Sequence, residues 1–378
     1  MIAIVYPQFY GVGGIARYLD SFLSNLPQGH AKVYVLTNDE HRVPRDYPGV
    51  ELVHIASRGG RFNLIKWGLQ ARQVLLRLHA EKKIEWVNLH FPPLIPGLFL
   101  PRSIPVVLTA HTTYLGMSGR FYDVKHFDSQ WSNLSLAIKS WMERRIFALS
   151  SKVITLTEQG RQEVLAYGFK GPVAVVPNGA DVRLFTPDPG VKKEFDLLFC
   201  GRIEFRKGSR AMVELCRRLI AAKPDIRIAI VGYGDDDAWV RQELAPFSVN
   251  VLLTGKVPFE DMIGFYNRSR IYASTSYYEG LPGTCLEAMA MQLPAVVWDF
   301  LFYRGLVEEG RTGCLAAPND FDAMLAKIVN LLAQPELAAE LGRNGRALLE
   351  TNYSWTRLSH DVLNVFAAED ESWAVRYV

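Results

Sequence analysis

Short apolar runs rich in Val and Ile alternate with helical patterns from the first residue onward. In the first half, Ile2–Tyr6, Lys32–Leu36, Val50–Ile55, Ile84–Leu89, Val106–Thr109, Lys152–Leu156 and Val173–Val176 read as strands. Between them, Ile15–Leu26, Leu64–Ala80, Leu134–Leu149 and Glu158–Tyr167 have helical spacing. This alternation belongs to a parallel sheet covered on both faces, whose strands stay apolar along their length. The polar stretch Thr186–Glu194, with Pro187 and Pro189, then interrupts the pattern and predicts a domain boundary. A second alternation follows. Its strands are Asp196–Cys200, Ile226–Val231, Val249–Leu253, Ile271–Ser274 and Ala295–Trp298. Its helices are Ser209–Ala222, Asp236–Leu244, Phe259–Arg268, Thr284–Met291, Phe321–Leu332 and Pro335–Glu350, and a last helix covers Trp355–Phe366. The expected fold is α/β, with two doubly wound, Rossmann-like domains, 1–185 and 186–354, facing a cleft. In such sheets ligands bind beyond the carboxyl ends of the strands.

Charge changes the picture more than composition does. Apolar residues make up 49% and charged residues 21% of 378, an ordinary globular balance. Residues 1–190 carry 21 Lys/Arg against 14 Asp/Glu, and residues 191–378 carry 21 against 25. A basic first half suggests an anionic partner. Lys66, Gln70, Gln73 and Arg77 share one helical face, with Arg61, Arg72, Lys82 and Lys83 nearby. Trp131, Lys139, Trp141, Arg144 and Arg145 follow. Such a face suits an anionic membrane surface or is simply a solvated helix over a core. No nucleic-acid-binding module is recognisable, so nucleic acid is not an expected partner. The four cysteines, Cys200, Cys216, Cys285 and Cys314, lie in apolar runs without C-x-x-C spacing, which suits reduced thiols in the cytoplasm. No signal peptide is expected. Prolines at 92, 93, 96, 101 and 105 break the most apolar window, Trp86–Ala110, so it does not read as a spanning helix.

The candidate chemistry gathers at strand ends. Gly201-Arg202-Ile203-Glu204-Phe205-Arg206-Lys207-Gly208 puts Arg202 and Lys207 after an apolar run, where two cations suit a diphosphate or are merely a solvated basic turn. Glu279 and Glu287 bracket Gly280, Pro282 and Gly283 at a loop-to-helix junction, where carboxylates can accept hydrogen bonds from hydroxyls. Thr284 is the expected cap, and the amides of Thr284, Cys285 and Leu286 are expected to be free for a phosphate. Together these suit a sugar nucleotide. Two carboxylates also serve retaining glycosidases, but that chemistry has no use for phosphate-binding cations. Gly11-Val12-Gly13-Gly14-Ile15-Ala16 can be written as a dinucleotide fingerprint, with Asp39-Glu40 after the second strand. An NAD(P)-dependent oxidoreductase is therefore a competing reading, although Pro7–Gly11 separates the strand end from the first glycine. An inactive sugar-nucleotide-binding protein is another. His111 ends a strand and is either a satisfied polar residue or a cleft residue. Asp235-Asp236-Asp237 reads as a helix start rather than a metal cluster, and no set of residues has metal-ligand spacing.

These residues resemble the retaining glycosyltransferases of family 4, with the GT-B fold, over nearly the whole chain. The resemblance rests on Gly13-Gly14, His111, Pro177-Asn178-Gly179-Ala180-Asp181 with Phe185, Gly201-Arg202 with Lys207-Gly208, Gly232 and Gly234, and Glu279 with Glu287-Ala288-Met289-Ala290. It implies that Arg202 and Lys207 bind the donor diphosphate, Glu279 the sugar hydroxyls and Glu287 the ribose. It implies that His111 approaches the transferred sugar and that Gly13-Gly14 border the phosphates. It implies a nucleotide-sugar co-substrate, no metal or other cofactor, and a glycan, glycolipid or polyprenyl-linked acceptor. The last helix, within 355–368, is expected to return to the first domain. The chain departs from many relatives in the aromatic loop Trp298-Asp299-Phe300-Leu301-Phe302-Tyr303-Arg304-Gly305, where Asp299 and Arg304 have no assigned role.

Overall fold

The computed structural model describes residues 1–10, 13–38, 46–56, 63–119 and 133–368. The chain divides into two compact units: Met1–Asn178 with the segment from Trp355 onward, and Gly179–Ser354.

The first unit is built on a parallel sheet of β1 (Ile2–Val5), β2 (Val33–Asn38), β3 (Val50–Ile55), β4 (Trp86–Phe91), β5 (Val106–Ala110), β6 (Lys152–Thr155) and β7 (Val173–Val175). Their order is β3-β2-β1-β4-β5-β6-β7, so the winding reverses between β1 and β4. β1, β2 and β5 are buried along their whole length, because each is covered on both faces. The edge strand β3 is only partly buried along most of its length, with Glu51 exposed. α1 (Gly14–Ser24) buries Tyr18, Leu19, Phe22 and Leu23, one stripe at helical spacing. α2 (Asn63–Ala80) does the same with Trp67, Ala71, Leu75 and Leu78. A single turn, α3 (Tyr114–Met117), is capped by Thr113, whose hydroxyl accepts the Gly116 N–H at 2.9 Å. α4 (Asn133–Leu149) and α5 (Glu158–Ala166) complete the order up to the crossing.

The second unit has its own parallel sheet, from β8 (Phe195–Cys200), β9 (Ile228–Val231), β10 (Val251–Leu253), β11 (Ser269–Ser274), β12 (Ala295–Trp298) and β13 (Gly313–Ala316). The order is β10-β9-β8-β11-β12-β13, and the winding reverses between β8 and β11. Its helices are α6 (Ser209–Ala222), α7 (Asp237–Leu244), α8 (Phe259–Arg268), α9 (Gly283–Ala290), α10 (Phe321–Ala333) and α11 (Pro335–Asn352). A last helix, α12 (Trp355–Ala367), belongs to the first unit. There Trp355 meets Tyr18 edge-on at 5.1 Å, and Lys152 Nζ donates to the carbonyls of Val365 and Ala368 at 2.7 and 2.6 Å. A cation at that end satisfies carbonyls that the helix leaves open.

The compact units divide at 178/179, seven residues before the boundary expected from the linker. Residues 179–185 are held in the second unit because the Arg346 guanidinium donates to the carbonyls of Val182 and Phe185, and because Phe185 packs in that unit's core. β13 has no counterpart in the hydrophobic pattern. It is short and opens on Gly313, where a Cβ would lie 2.3 Å from the Ala295 carbonyl oxygen of the neighbouring strand.

Candidate active site

The carboxyl ends of β8 and β11 meet where the second sheet reverses, and their loops are packed backbone against backbone. Gly208 has φ of 72°, and a Cβ there would stand 1.9 Å from the Thr275 carbonyl oxygen. Only glycine gives both the left-handed turn and the approach. Tyr277 N–H donates to the Arg206 carbonyl at 3.0 Å and ties the two loops again. One 3-10 turn, Phe205–Lys207, carries Arg206 and Lys207.

This framework brings Lys207 and Glu279 together as an ion pair, with the Glu279 side chain only 8% exposed. The Ser276 hydroxyl donates to the same carboxylate oxygen, Oε1, at 3.0 Å. Ser274 Oγ donates to Ser276 Oγ at 3.1 Å, and the Tyr303 hydroxyl donates to Ser274 Oγ at 2.7 Å. A carboxylate only accepts, so every donor in this line points toward Glu279. Burial pushes the Tyr303 phenol well above its ordinary value, and the Glu279 charge adds to the shift. The aromatic loop therefore reaches the site through Tyr303. Asp299 and Arg304 instead form a two-pronged pair with each other at the surface, at 2.9 and 3.0 Å.

Arg202 is mostly exposed and pairs with Glu204 at 2.6 Å. The buried Glu204 also holds Arg206 at 2.7 Å, and Arg206 donates to the Tyr278 carbonyl at 3.2 Å. Glu204 was not among the expected site residues, though it stands between the two cations in sequence. Gly201, Arg202, Lys207, Ser209, Ser274 and Ser276 all line one pocket. Glu287 accepts the Tyr266 hydroxyl at 2.8 Å.

The helix start differs from expectation. Pro282 rather than Thr284 occupies the cap position, and Thr284 Oγ1 is bonded to the Tyr272 hydroxyl at 2.9 Å. The amides of Cys285 and Leu286 already donate to the Pro282 carbonyl, at 3.0 and 3.2 Å. A phosphate at this helix would therefore meet Thr284 N–H and not those two. Burial pushes the Cys285 thiol up, which makes it inert. Asp236 accepts the Ser209 hydroxyl rather than capping α7, and Asp237 pairs with Arg241 at 2.7 Å.

In the first unit, Gly13 and Gly14 are exposed at the head of α1, with open space where a Cβ would stand. Gly11, Val12, Asp39 and Glu40 of the dinucleotide reading lie outside the described residues, as do Arg61 and Trp131 of the basic face. His111 follows β5. Its N–H donates to the Phe91 carbonyl at 3.1 Å, and its Nε2 lies 3.0 Å from His90 Nδ1. Burial pushes the His111 imidazole down to about 3 and that of His90 well below its ordinary value. β4 runs through Phe91, so His90 also stands at a strand end; the expected strand stopped at Leu89. Under the turn after His111, Glu143 accepts the Tyr114 N–H at 3.0 Å and the Tyr167 hydroxyl. Burial pushes its carboxyl up to about 8. Glu163 accepts the Thr113 hydroxyl at 2.5 Å.

Comparison with known proteins supports the fold and identifies the family. Residues 185–348 match the family model for Glycosyl transferases group 1, and residues 12–184 that for Glycosyltransferase Family 4. A Corynebacterium glutamicum protein is 24% identical over 95% of both chains. It is named a GDP-mannose-dependent monoacylated alpha-(1-6)-phosphatidylinositol monomannoside mannosyltransferase. Sucrose-phosphate synthase from Thermosynechococcus elongatus has the same fold, with a TM-score of 0.78 at 19% identity over 97% of this chain and 98% of that one. Anabaena HepE, solved in complex with UDP-glucose, has a TM-score of 0.72 at 15% identity over 97% and 99%.

Proposed function

The chain belongs to the group 1, family 4 glycosyltransferases, and we propose that it moves a sugar from a nucleoside-diphosphate donor to an acceptor hydroxyl with retention at the anomeric carbon. The observation that carries this reading is the Lys207–Glu279 pair at the reversal of the second sheet, beside Arg202 and Ser276. Lys207 and Arg202 neutralise the charge that grows on the departing diphosphate. Glu279 accepts from hydroxyls of the sugar, Glu287 from the ribose, and Thr284 N–H and Gly13-Gly14 border the phosphates. His111 is the proposed further contact to the transferred sugar. The bond from the anomeric carbon to the diphosphate oxygen breaks, and the acceptor oxygen bonds to that carbon from the same face. The acceptor's proton goes to the departing phosphate oxygen. No step of this needs a metal.

A lipid-linked or glycan acceptor is supported by the basic first half and by the phosphatidylinositol mannoside in the name of the Corynebacterium relative. It is also supported by α4, where Ile138 and Trp141 are exposed beside Arg144 and Arg145. Among the described residues, no helix is long and apolar enough to cross a membrane. The proposed location is the cytoplasmic face of a membrane, held at its surface.

Lys207→Ala and Glu279→Gln should each lower turnover at least ~100-fold while the fold is kept. Wild-type turnover in either removes that residue from the mechanism. NMR of the fresh product shows a retained anomer; an inverted one refutes the stereochemistry. Nucleotide binding without turnover, across UDP-, GDP-, ADP- and CMP-sugars, would leave the inactive binding protein.

A further inference from the structure

Asn88, His90 and His111 form a hydrogen-bonded line across β4 and the end of β5. Asn88 Nδ2 donates to the Val107 carbonyl at 3.0 Å and to Thr109 Oγ1 at 2.9 Å. A backbone carbonyl only accepts, so the amide's nitrogen faces it and its Oδ1 faces His90. His90 Nε2 lies 2.8 Å from that oxygen and must carry its proton. A neutral imidazole has one N–H, so His90 Nδ1 has a lone pair. It stands 3.0 Å from His111 Nε2, which must then be the protonated nitrogen. His111 Nδ1 is left with a lone pair. The protons are thus assigned outward from a carbonyl that can act in only one way.

The assignment requires both rings to be neutral, and their surroundings make them so. His90 and His111 are 1% and 7% exposed. The Tyr18 ring covers both, at 4.9 Å edge-on to His111 and 5.5 Å from His90, and Trp355 lies against Tyr18. Burial disfavours the charged form of each ring.

We propose that Asn88 and His90 are positioning residues that lock His111 in its Nε2–H form, so that Nδ1 accepts a hydrogen bond from a hydroxyl of the transferred sugar. The contact with sugar rests on the glycosyltransferase reading above; the lock does not. In this arrangement His111 cannot hand a proton to the substrate through Nδ1. Its partner must be a group that donates.

The test is NMR of the full chain labelled with 15N-histidine, with His111 assigned by its loss in H111N. The expected spectrum of the free protein shows His111 protonated at Nε2 and bare at Nδ1. An Nδ1–H form, or an even mixture, overturns the lock. His90→Phe removes the acceptor. It should give mixed His111 forms and lower kcat about tenfold, with donor KM little changed. His90→Asn places an acceptor at the same position and should restore the Nε2–H form and most of the rate. A rate loss in H90F with the His111 form unchanged, or no rescue by H90N, overturns the positioning role. If H90F does not fold, the wild-type spectrum and H90N decide. Wild-type turnover in His111→Ala would remove the sugar contact and His111's place in the transfer reaction, whatever the spectrum shows.

Discussion

Removing Lys207 should cost the second unit more than removing Lys207 and the Glu279 charge together. In Lys207→Met, Glu279 keeps its charge in a site where its side chain is 8% exposed. It retains one hydroxyl donor, Ser276, on Oε1. Breaking a buried pair by deleting one partner typically costs about 3–5 kcal/mol. The Lys207 side chain is 21% exposed, so water can partly take its place. The Ser276 hydrogen bond is present before and after the change, so it does not enter the difference. The expected loss is therefore about 2–3 kcal/mol. Lys207→Met with Glu279→Gln leaves two neutral groups of similar volume, and the expected loss falls below about 1 kcal/mol. Both proteins should be inactive if the proposed roles of Lys207 and Glu279 hold, so stability and turnover part company. Hydrogen exchange of peptides from β8 and β11, read against denaturant, reports the second unit without interference from the first. A single variant no less stable than the double would refute the reasoning, because Glu279 would then not need its partner.

Tyr303→Phe removes one hydroxyl from the line that ends on Glu279; it should lower stability by about 1 kcal/mol and turnover by less than about tenfold. A turnover loss as large as that of Glu279→Gln would place Tyr303 on the substrate. The titration of Glu143 should make the first unit more stable at pH 6 than at pH 8. Its folded value is raised to about 8 by burial, so its contribution is full below its ordinary carboxylate value and is lost as pH rises through about 8. Glu143→Leu should flatten that slope in thermal melts; an unchanged slope assigns it elsewhere. His90 and His111 act in the opposite sense. Their lowered values give stability above the ordinary histidine value that is lost as pH falls toward theirs. Trp141→Glu should weaken sedimentation with anionic vesicles at low salt. Binding that neither this change nor added salt reduces would rule out α4 as the membrane face.

The strands were legible because a parallel sheet covered on both faces demands unbroken apolar runs, and β1, β2 and β5 are such runs. Arg202, Lys207 and Glu279 stood out because charge at a strand end has few structural uses, and the fold brings Lys207 and Glu279 into one ion pair. Three things were hidden. β13 was missed because its glycine is required by a neighbouring backbone, which no periodicity reports. The engaged amides of Cys285 and Leu286 depend on where a helix begins, and one residue at that junction decides which N–H groups are open. Glu204, Ser276, Tyr303 and His90 act through other side chains, and the sequence places Tyr303 more than twenty residues from the carboxylate it supports. Position along the chain reveals charged groups at strand ends more readily than the groups that hold them still.

The crossing near Ala180 has a consequence for how this chain can be taken apart. Ala180 N–H donates to the Tyr353 carbonyl at 3.0 Å, and Ala180 and Ser354 form a parallel bridge. The second unit is thus an insertion within the first, and its two ends are bonded neighbours. A continuous piece, Gly179–Ser354, carries a whole sheet, its core and the Lys207–Glu279 pair. Its ends are close enough to be joined by a short linker and reopened at a surface loop, giving a circular permutant of the second unit. The first unit, by contrast, is a split domain: its final helix is translated only after the inserted unit, so its core is incomplete until the rest of the chain has been made.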